Sequence, residues 1–344
     1  MNAPLRLRLD GDALVANYRA LAQMSGAAAC GAAVKANGYG LGAAAVAERL
    51  AAAGCRDFFV ATWAEAVALA PIGVPVSVLH GVRDADLTLA LSLPMARPVL
   101  NSPAQVARWR AGGGGRCDVM VDTGMNRLGV SPAEVQAGLV DGLAIDTLMS
   151  HLACADEDSA MNERQRAAVM AIAPRVAAAR LSLANSAGIA LGRDYALDLT
   201  RPGLALYGGV PRRELAGRIA QVVTPEAQIV QRRMLRGGDS IGYNATFTAD
   251  GDIEVAILNI GYADGYWRGF SGRGVALAAG LHLPVLGRVS MDLTAIDVTQ
   301  APDLDEGDWL ALDFDLAEAS AQSGLSHYEL LVALGDRFDR YWVG

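Results

Sequence analysis

Cysteine is scarce and scattered in this chain. Its 344 residues include four, Cys30, Cys55, Cys117 and Cys154, with no C-x-x-C pair among them. That spacing argues against a zinc knuckle or any other metal centre and against a disulfide framework, and it fits a reducing compartment. Charge is sparse too, at 19% of residues with a net charge of −8. No basic tract stands out, which disfavours a nucleic-acid surface, since that needs cations to displace counterions. Long apolar runs are missing. The longest uncharged stretch, 66–82, contains Pro71, Gly73, Pro75 and His80 and stops short of a ~20-residue membrane span. The first ten residues carry charges where a signal peptide needs an apolar core. A soluble cytoplasmic protein is therefore the expectation. What the chain has is apolar material: hydrophobic residues make up 52%, enough for a large core and too much for disorder. The length allows two domains, or one large α/β barrel with an appendage.

Up to about residue 210 the sequence alternates short β-like runs with Ala-rich helical ones. Strands are expected at 28–34, 57–60, 76–79, 98–100, 117–121, 146–150, 181–184 and 196–201, and helices at 42–53, 63–69, 103–111, 132–139 and 164–179. Ser102-Pro103 and Ser131-Pro132 each read as an N-cap followed by proline at the first helical position. Eight strands, each followed by a helix-sized connection, is the count of a (β/α)8 TIM-type barrel. An open doubly wound sheet would show the same alternation. After Pro225 the texture changes: Val, Ile, Thr and Gly rise, 253–260 alternates, and Gly237-Gly238, Asp250-Gly251 and Asp264-Gly265 mark turns. The expectation is a barrel over 1–215 and a mostly β domain over 216–344, with a helix near 326–334.

A barrel carries its chemistry at the C-terminal ends of its strands. The first expected strand runs into Lys35, followed by a glycine-rich turn with Tyr39. A rim lysine with its stem on apolar surface is the ordinary explanation. An amine whose pKa is lowered by an apolar setting, able to form a Schiff base, is the sharper one. Further round the rim, Arg127 follows the fifth strand and His151 ends the sixth. Asn185-Ser186-Ala187-Gly188 follows the seventh as an anion cradle, and Arg201 ends the eighth. Each signal alone is weak, but core packing has no use for Lys35, Arg127, His151, Ser186 and Arg201 at one rim. An imine-forming lysine beside an anion cradle points to pyridoxal 5′-phosphate, an electron sink for carbanion chemistry.

The ordered motifs also resemble a known family. Val34-Lys35-Ala36-Asn37-Gly38-Tyr39-Gly40 is similar to the cofactor-lysine motif of alanine racemases. Asp122-Thr123-Gly124-Met125-Asn126-Arg127-Leu128-Gly129, Ala184-Asn185-Ser186 and Arg201-Pro202-Gly203 follow in the family's order. Beyond Pro225 come Ile241-Gly242-Tyr243-Asn244-Ala245-Thr246-Phe247, Gly261-Tyr262-Ala263-Asp264-Gly265 and Gly287-Arg288-Val289-Ser290-Met291-Asp292. The resemblance spans nearly the whole chain.

It implies a pyridoxal-phosphate-dependent isomerase that interconverts L- and D-alanine, supplying or consuming D-alanine, a peptidoglycan precursor. Lys35 would hold the cofactor and act as one acid/base; Tyr243, supplied by the partner subunit of a homodimer, would be the other. Tyr39, Ser186 and the backbone at Gly203 and Leu204 would bind the phosphate. Arg201 would face the pyridine nitrogen, and His151 would link Arg201 towards Tyr243. Arg127 would hold the cofactor's ring oxygen beside the substrate. Met291 would line the substrate carboxylate site and Tyr262 the entry path. The sequence departs from the family at three places. Met120 stands where some relatives have a lysine, Arg337-Phe338-Asp339-Arg340 replaces a frequent Arg-Val-Pro-Arg, and Pro202 replaces an aromatic residue. A racemase of broader substrate range shares this plan, as does a pyridoxal-phosphate decarboxylase. The decarboxylase would need a catalytic cysteine and an acidic partner for the ring nitrogen. A cofactor-carrier barrel would lack the second domain.

Overall fold

The computed structural model describes residues 3–344. The chain forms two compact units: Leu14–Ala220, and the chain up to Ala13 together with Gln221–Gly344. The division falls a few residues after the boundary expected at 215/216, and the opening strand goes with the second unit. Leu5–Asp10 reads Leu-Arg-Leu-Arg-Leu-Asp, with Leu5, Leu7 and Leu9 buried and the residues between them half-buried. That alternation suits a sheet covered on one face. A barrel strand, buried on both, reads as a continuous apolar run.

The first unit is a closed parallel barrel. Its strands are Ala29–Cys30 with Ala32–Ala33, then Phe58–Val60, Val76–Val78, Ala96–Leu100, Cys117–Met120, Ile145–Met149, Ala178–Ser182 and Leu199–Thr200, each paired with its neighbour in sequence. Closure happens in the first segment. Ala29 and Cys30 pair with Leu199 and Thr200, whereas Ala32 and Ala33 pair with Phe58 and Phe59. The change of partner falls at Gly31, where a Cβ would sit 2.8 Å from both the Asp57 carbonyl and the Phe59 ring. Only glycine lets the two edges approach so closely.

Helices lie between the strands much as expected, including Ala43–Ala52, Trp63–Leu69, Pro103–Ala111 and Pro132–Gln136. Ser102 and Ser131 cap the last two, accepting from Gln105 and Glu134 N–H. The helix expected at 164–179 is instead Ala160–Ile172, and Pro174 lies in the short turn that follows it. Residues 178 and 179 are therefore the start of the seventh strand. Polar groups occupy part of the barrel interior. Arg97 reaches Asp118 and Asp146 at 3.0 Å each, and Arg180 reaches Asp57 and Asp146 at 2.7 Å. Asp118 is wholly buried, and burial raises its pKa.

The second unit is a mostly antiparallel sheet built round one long strand, Val223–Leu235. That strand pairs with Leu5–Asp10 and Trp309–Leu312 over its first part and with Ile253–Leu258 over its second. By pairing with both Trp309–Leu312 and Ile253–Leu258 it closes the strands between those two into a barrel-like ring, from which Leu5–Asp10 branches. Asp339–Val343 adds parallel to Leu5–Asp10 as an edge. The closing helix expected at 326–334 is His327–Val332, capped by Ser326 and Glu329 together.

Candidate active site

Lys35 opens a turn of unusual backbone. Ala36, Asn37, Gly38, Tyr39 and Gly40 have φ of 52°, 53°, 63°, 54° and 86°. Three of the five carry a Cβ, and each costs about 1–2 kcal/mol in the left-handed region. Such strain persists only where the surroundings hold it. The Glu65 carboxylate accepts the Ala36 N–H at 2.7 Å, Asn37 Oδ1 accepts the Ala43 N–H at 3.0 Å, and the Tyr39 ring stacks on Tyr207 at 4.6 Å. Burial lowers the Lys35 pKa, the Arg127 charge lowers it further, and Glu65 opposes both.

The turn also fixes an oxygen-rich corner. A Cβ on Gly203 would lie 2.2 Å from the Tyr39 hydroxyl, so the phenol packs directly on that backbone. Ser186 Oγ accepts N–H groups from Gly203 at 3.0 Å and Ala205 at 3.1 Å. Leu204 lies between them at the start of the 3-10 turn Leu204–Tyr207. Ser186 itself opens the helix Ser186–Ala190, which Asn185 caps by accepting the Gly188 N–H at 2.8 Å. Tyr39, Ser186, Gly203 and Leu204 therefore form one cluster.

Arg201 is buried, and its Nη atoms donate to the Ser150 carbonyl at 2.5 Å, to Ser182 Oγ and to the Leu183 carbonyl. Among the described residues no carboxylate lies within ion-pair distance of it. Burial lowers its pKa to about 10, with the charge of Asp118 acting the other way. Burial also pushes the His151 imidazole down to about 3, and the charges of Arg201, Arg127 and Lys35 all add to that. The charges of Arg201, Arg127 and Lys35 therefore all act on His151, which stays neutral among them. Arg201 and His151 interact through this field, while the hydrogen bonds of the guanidinium go elsewhere.

The backbone of Arg127 is held by the carboxylate of Asp122. The Asp122 carboxylate accepts the N–H groups of Gly124, Asn126 and Arg127 at 2.8, 3.0 and 3.1 Å. The loop closes where Asp122 N–H donates to the Val130 carbonyl at 2.9 Å. Gly129 permits this, since a Cβ there would lie 2.5 Å from Asp122 N.

The remaining expected residues belong to the second unit. Tyr243 sits in the turn of the hairpin Ser240–Ile241/Phe247–Thr248 and is 65% exposed. Tyr262 and Met291 lie on two turns locked together: Tyr262 N–H donates to the Ser290 carbonyl at 3.1 Å and Ala263 N–H to that of Met291 at 3.0 Å. Gly261 allows this contact, because a Cβ would lie 2.3 Å from the Met291 oxygen. Arg337 braces the pair, reaching Asp264 at 2.7 Å and Asp292 at 2.8 Å.

Comparison with known proteins decides the family. Residues 9–211 match the alanine racemase N-terminal domain and residues 222–342 the alanine racemase C-terminal domain. The chain belongs to the alanine racemase family. An alanine racemase of Acidiphilium cryptum is 41% identical over 99% of this chain and 99% of its own. A relative from Mesorhizobium japonicum named alanine racemase, catabolic, is 41% identical over 98% of this chain and 93% of its own. The crystal structure of alanine racemase from Bartonella henselae, with covalently bound pyridoxal phosphate, superposes with a TM-score of 0.89. It is 34% identical and covers 98% of this chain and 99% of that one.

The enzyme is thus a pyridoxal-phosphate-dependent isomerase, and its residues fit that cofactor. Three cations share a rim, and the buried guanidinium has no carboxylate to neutralise it. Bound there, an anionic cofactor would supply the counter-charge, with the Tyr39–Ser186–Gly203 corner to take its phosphate. Other residues support the site without standing out in the sequence. Gln165, wholly buried, donates to the His151 carbonyl at 2.9 Å and accepts the Ala153 N–H at 2.8 Å. Arg337 had been marked only as a departure from the family. Glu65 was overlooked although Thr62-Trp63-Ala64-Glu65 reads as a capping box directly after an apolar strand, and that box is present.

Stability should report the neutrality of His151. An unfolded chain protonates this histidine below pH ~6.5, whereas the folded one holds it neutral to about 3. Between those values the unfolded state binds the extra proton, so stability falls as pH falls. In urea titrations of cofactor-free protein, His151→Gln is expected to flatten the loss of stability over that window. Equal slopes for the two proteins would contradict a neutral His151.

Proposed function

We propose that Lys35 and Tyr243 are the two bases with which this enzyme interconverts L- and D-alanine. The reading is carried by the Lys35 amine, which burial and Arg127 bias toward its neutral form beside the Tyr39–Ser186–Gly203 corner. When bound, pyridoxal phosphate withdraws electrons from an amino acid's Cα and so acidifies its hydrogen. Lys35 Nζ would hold the cofactor and, when freed by substrate, exchange a proton with one face of Cα. Tyr243 Oη serves the opposite face. Tyr39, Ser186 and the Gly203–Leu204 backbone hold the phosphate. Arg127 holds the ring oxygen and helps to seat the substrate, with Met291 lining the carboxylate site and Tyr262 the way in. An unperturbed phenol is a poor base near neutrality; Arg201, acting through His151, favours its phenolate.

The working unit is a homodimer in which Tyr243 of the partner subunit completes each site. In support, Tyr243 is strongly exposed, and Met291 (53%) and Leu293 (41%) are exposed apolar residues of the same unit. The compartment is the cytoplasm: all four cysteines are free, and no described helix is long and apolar enough to cross a membrane. Since enantiomers have equal free energy, net flux runs toward whichever one is consumed. Racemisation assays on L-Ala, L-Ser and L-Lys test the substrate, and alanine is expected to be turned over fastest.

Arg201 sets what kind of sink the cofactor becomes. A guanidinium does not readily give up a proton, so one facing the ring nitrogen would keep the sink moderate. Arg201→Glu is expected to raise the pyruvate formed per racemisation event, measured with lactate dehydrogenase. No rise would refute the assignment of Arg201 to the ring nitrogen.

A further inference from the structure

The strained turn after Lys35 has one strut from outside its own segment whose charge also acts on the amine. Glu65 lies on the helix Trp63–Leu69, which follows the second barrel strand. One of its oxygens accepts the Ala36 N–H at 2.7 Å, next to Lys35 in the chain. The other accepts the N–H groups of Ala61 at 2.7 Å and Thr62 at 3.0 Å. The carboxylate therefore ties the end of the first strand to the end of the second. It accepts where the chain enters five successive left-handed residues. Helix capping alone requires only the bond to Thr62 and leaves the one to Ala36 unexplained.

We propose that Glu65 is a positioning residue for Lys35: its carboxylate holds the left-handed turn from which the amine projects and keeps a negative charge beside it. The charged and titratable groups around that amine are Arg127 from the fifth-strand loop, His151 from the sixth and Glu65 from the second. Arg127 is positive and His151 neutral. Glu65 is the one carboxylate among the described residues whose charge acts on Lys35. Without it the amine would titrate lower still, and the turn would lose the acceptor for Ala36. A glutamine fills the same volume but presents one acceptor oxygen in place of two, so the Ala61–Thr62 bonds and the Ala36 bond cannot both survive. An aspartate keeps the charge and loses the reach.

This rests on the assignment of Lys35 as the cofactor lysine, and the experiment separates the two. Full-length enzyme is loaded with pyridoxal phosphate, reduced with borohydride across a pH series, and mapped by peptide mass, with the cofactor's dissociation constant measured alongside. Wild type labelled anywhere but Lys35 overturns the assignment itself. With Lys35 labelled, Glu65→Gln is expected to bind the cofactor about tenfold or more weakly, as misplacement of a reacting group predicts, and to move the trapping midpoint to lower pH. Glu65→Asp is expected to weaken binding with the midpoint unmoved. Thr62→Ala removes the helix cap and spares the strut, so only its melting temperature should drop. If Glu65→Gln and Glu65→Asp behave like Thr62→Ala, with affinity and midpoint as in wild type, Glu65 is a capping residue and the inference is wrong.

Discussion

Lys35→Ala is expected to lose racemase activity by at least ~1,000-fold, because one substitution removes both the covalent anchor and an acid/base. The visible absorbance of imine-bound cofactor should vanish with it. Stability should change little, since the turn is held by the Glu65 and Asn37 hydrogen bonds and the Tyr39–Tyr207 stack. Added alkylamines give a sharper check. A small amine can enter the space left by the side chain and carry a proton without being tethered, so partial rescue is expected. A Lys35→Ala enzyme that keeps its absorbance and at least a tenth of its rate would place the cofactor on another residue.

For Tyr243→Phe the expected loss is ~100- to 10,000-fold, the range typical of removing one general acid or base. Racemisation has an equilibrium constant of one, so the two directions must fall by the same factor and rates alone cannot reveal which face was disabled. Hydrogen exchange at Cα can. In deuterated water one enantiomer should still exchange its Cα hydrogen, with retention, through Lys35, while the other should stop exchanging. Unchanged exchange for both enantiomers would mean that Tyr243 is not a base. Because Tyr243 is exposed on a hairpin turn, the substitution should leave folding intact, so a lost rate is chemical.

The barrel was legible because its short β-like runs alternate with Ala-rich helical ones and two of its helices open on Ser-Pro caps, both local signals. Strand ends were less so. Arg201 was placed at the end of a strand over 196–201, yet only Leu199–Thr200 pairs, because the preceding residues fold into a short turn at Arg193–Tyr195. The opening strand was missed as part of the second unit, although its alternation was visible, since its partners lie more than two hundred residues away. Among the site residues, those with unusual chemistry at a strand end stood out: Lys35, Arg127, His151 and Arg201. The residues that hold them were harder to see. Asp122 accepts from backbone of its own loop, whereas Gln165 and Glu65 reach backbone of other segments, and nothing in the identity of a glutamate says which N–H it will face. The capping box around Glu65 left a trace in the sequence, and it marked one of the three N–H groups that its carboxylate accepts.

The pairing of Leu5–Asp10 with both Val223–Leu235 and Asp339–Val343 has a consequence for biosynthesis. The barrel segment is continuous and can fold while the ribosome is still translating. The other unit must keep its first strand waiting, edge unsatisfied, through more than three hundred codons. An unpaired strand of that kind is a template for wrong partners, and its alternating arginines are the sort of charge that keeps such an edge soluble until the last strand emerges.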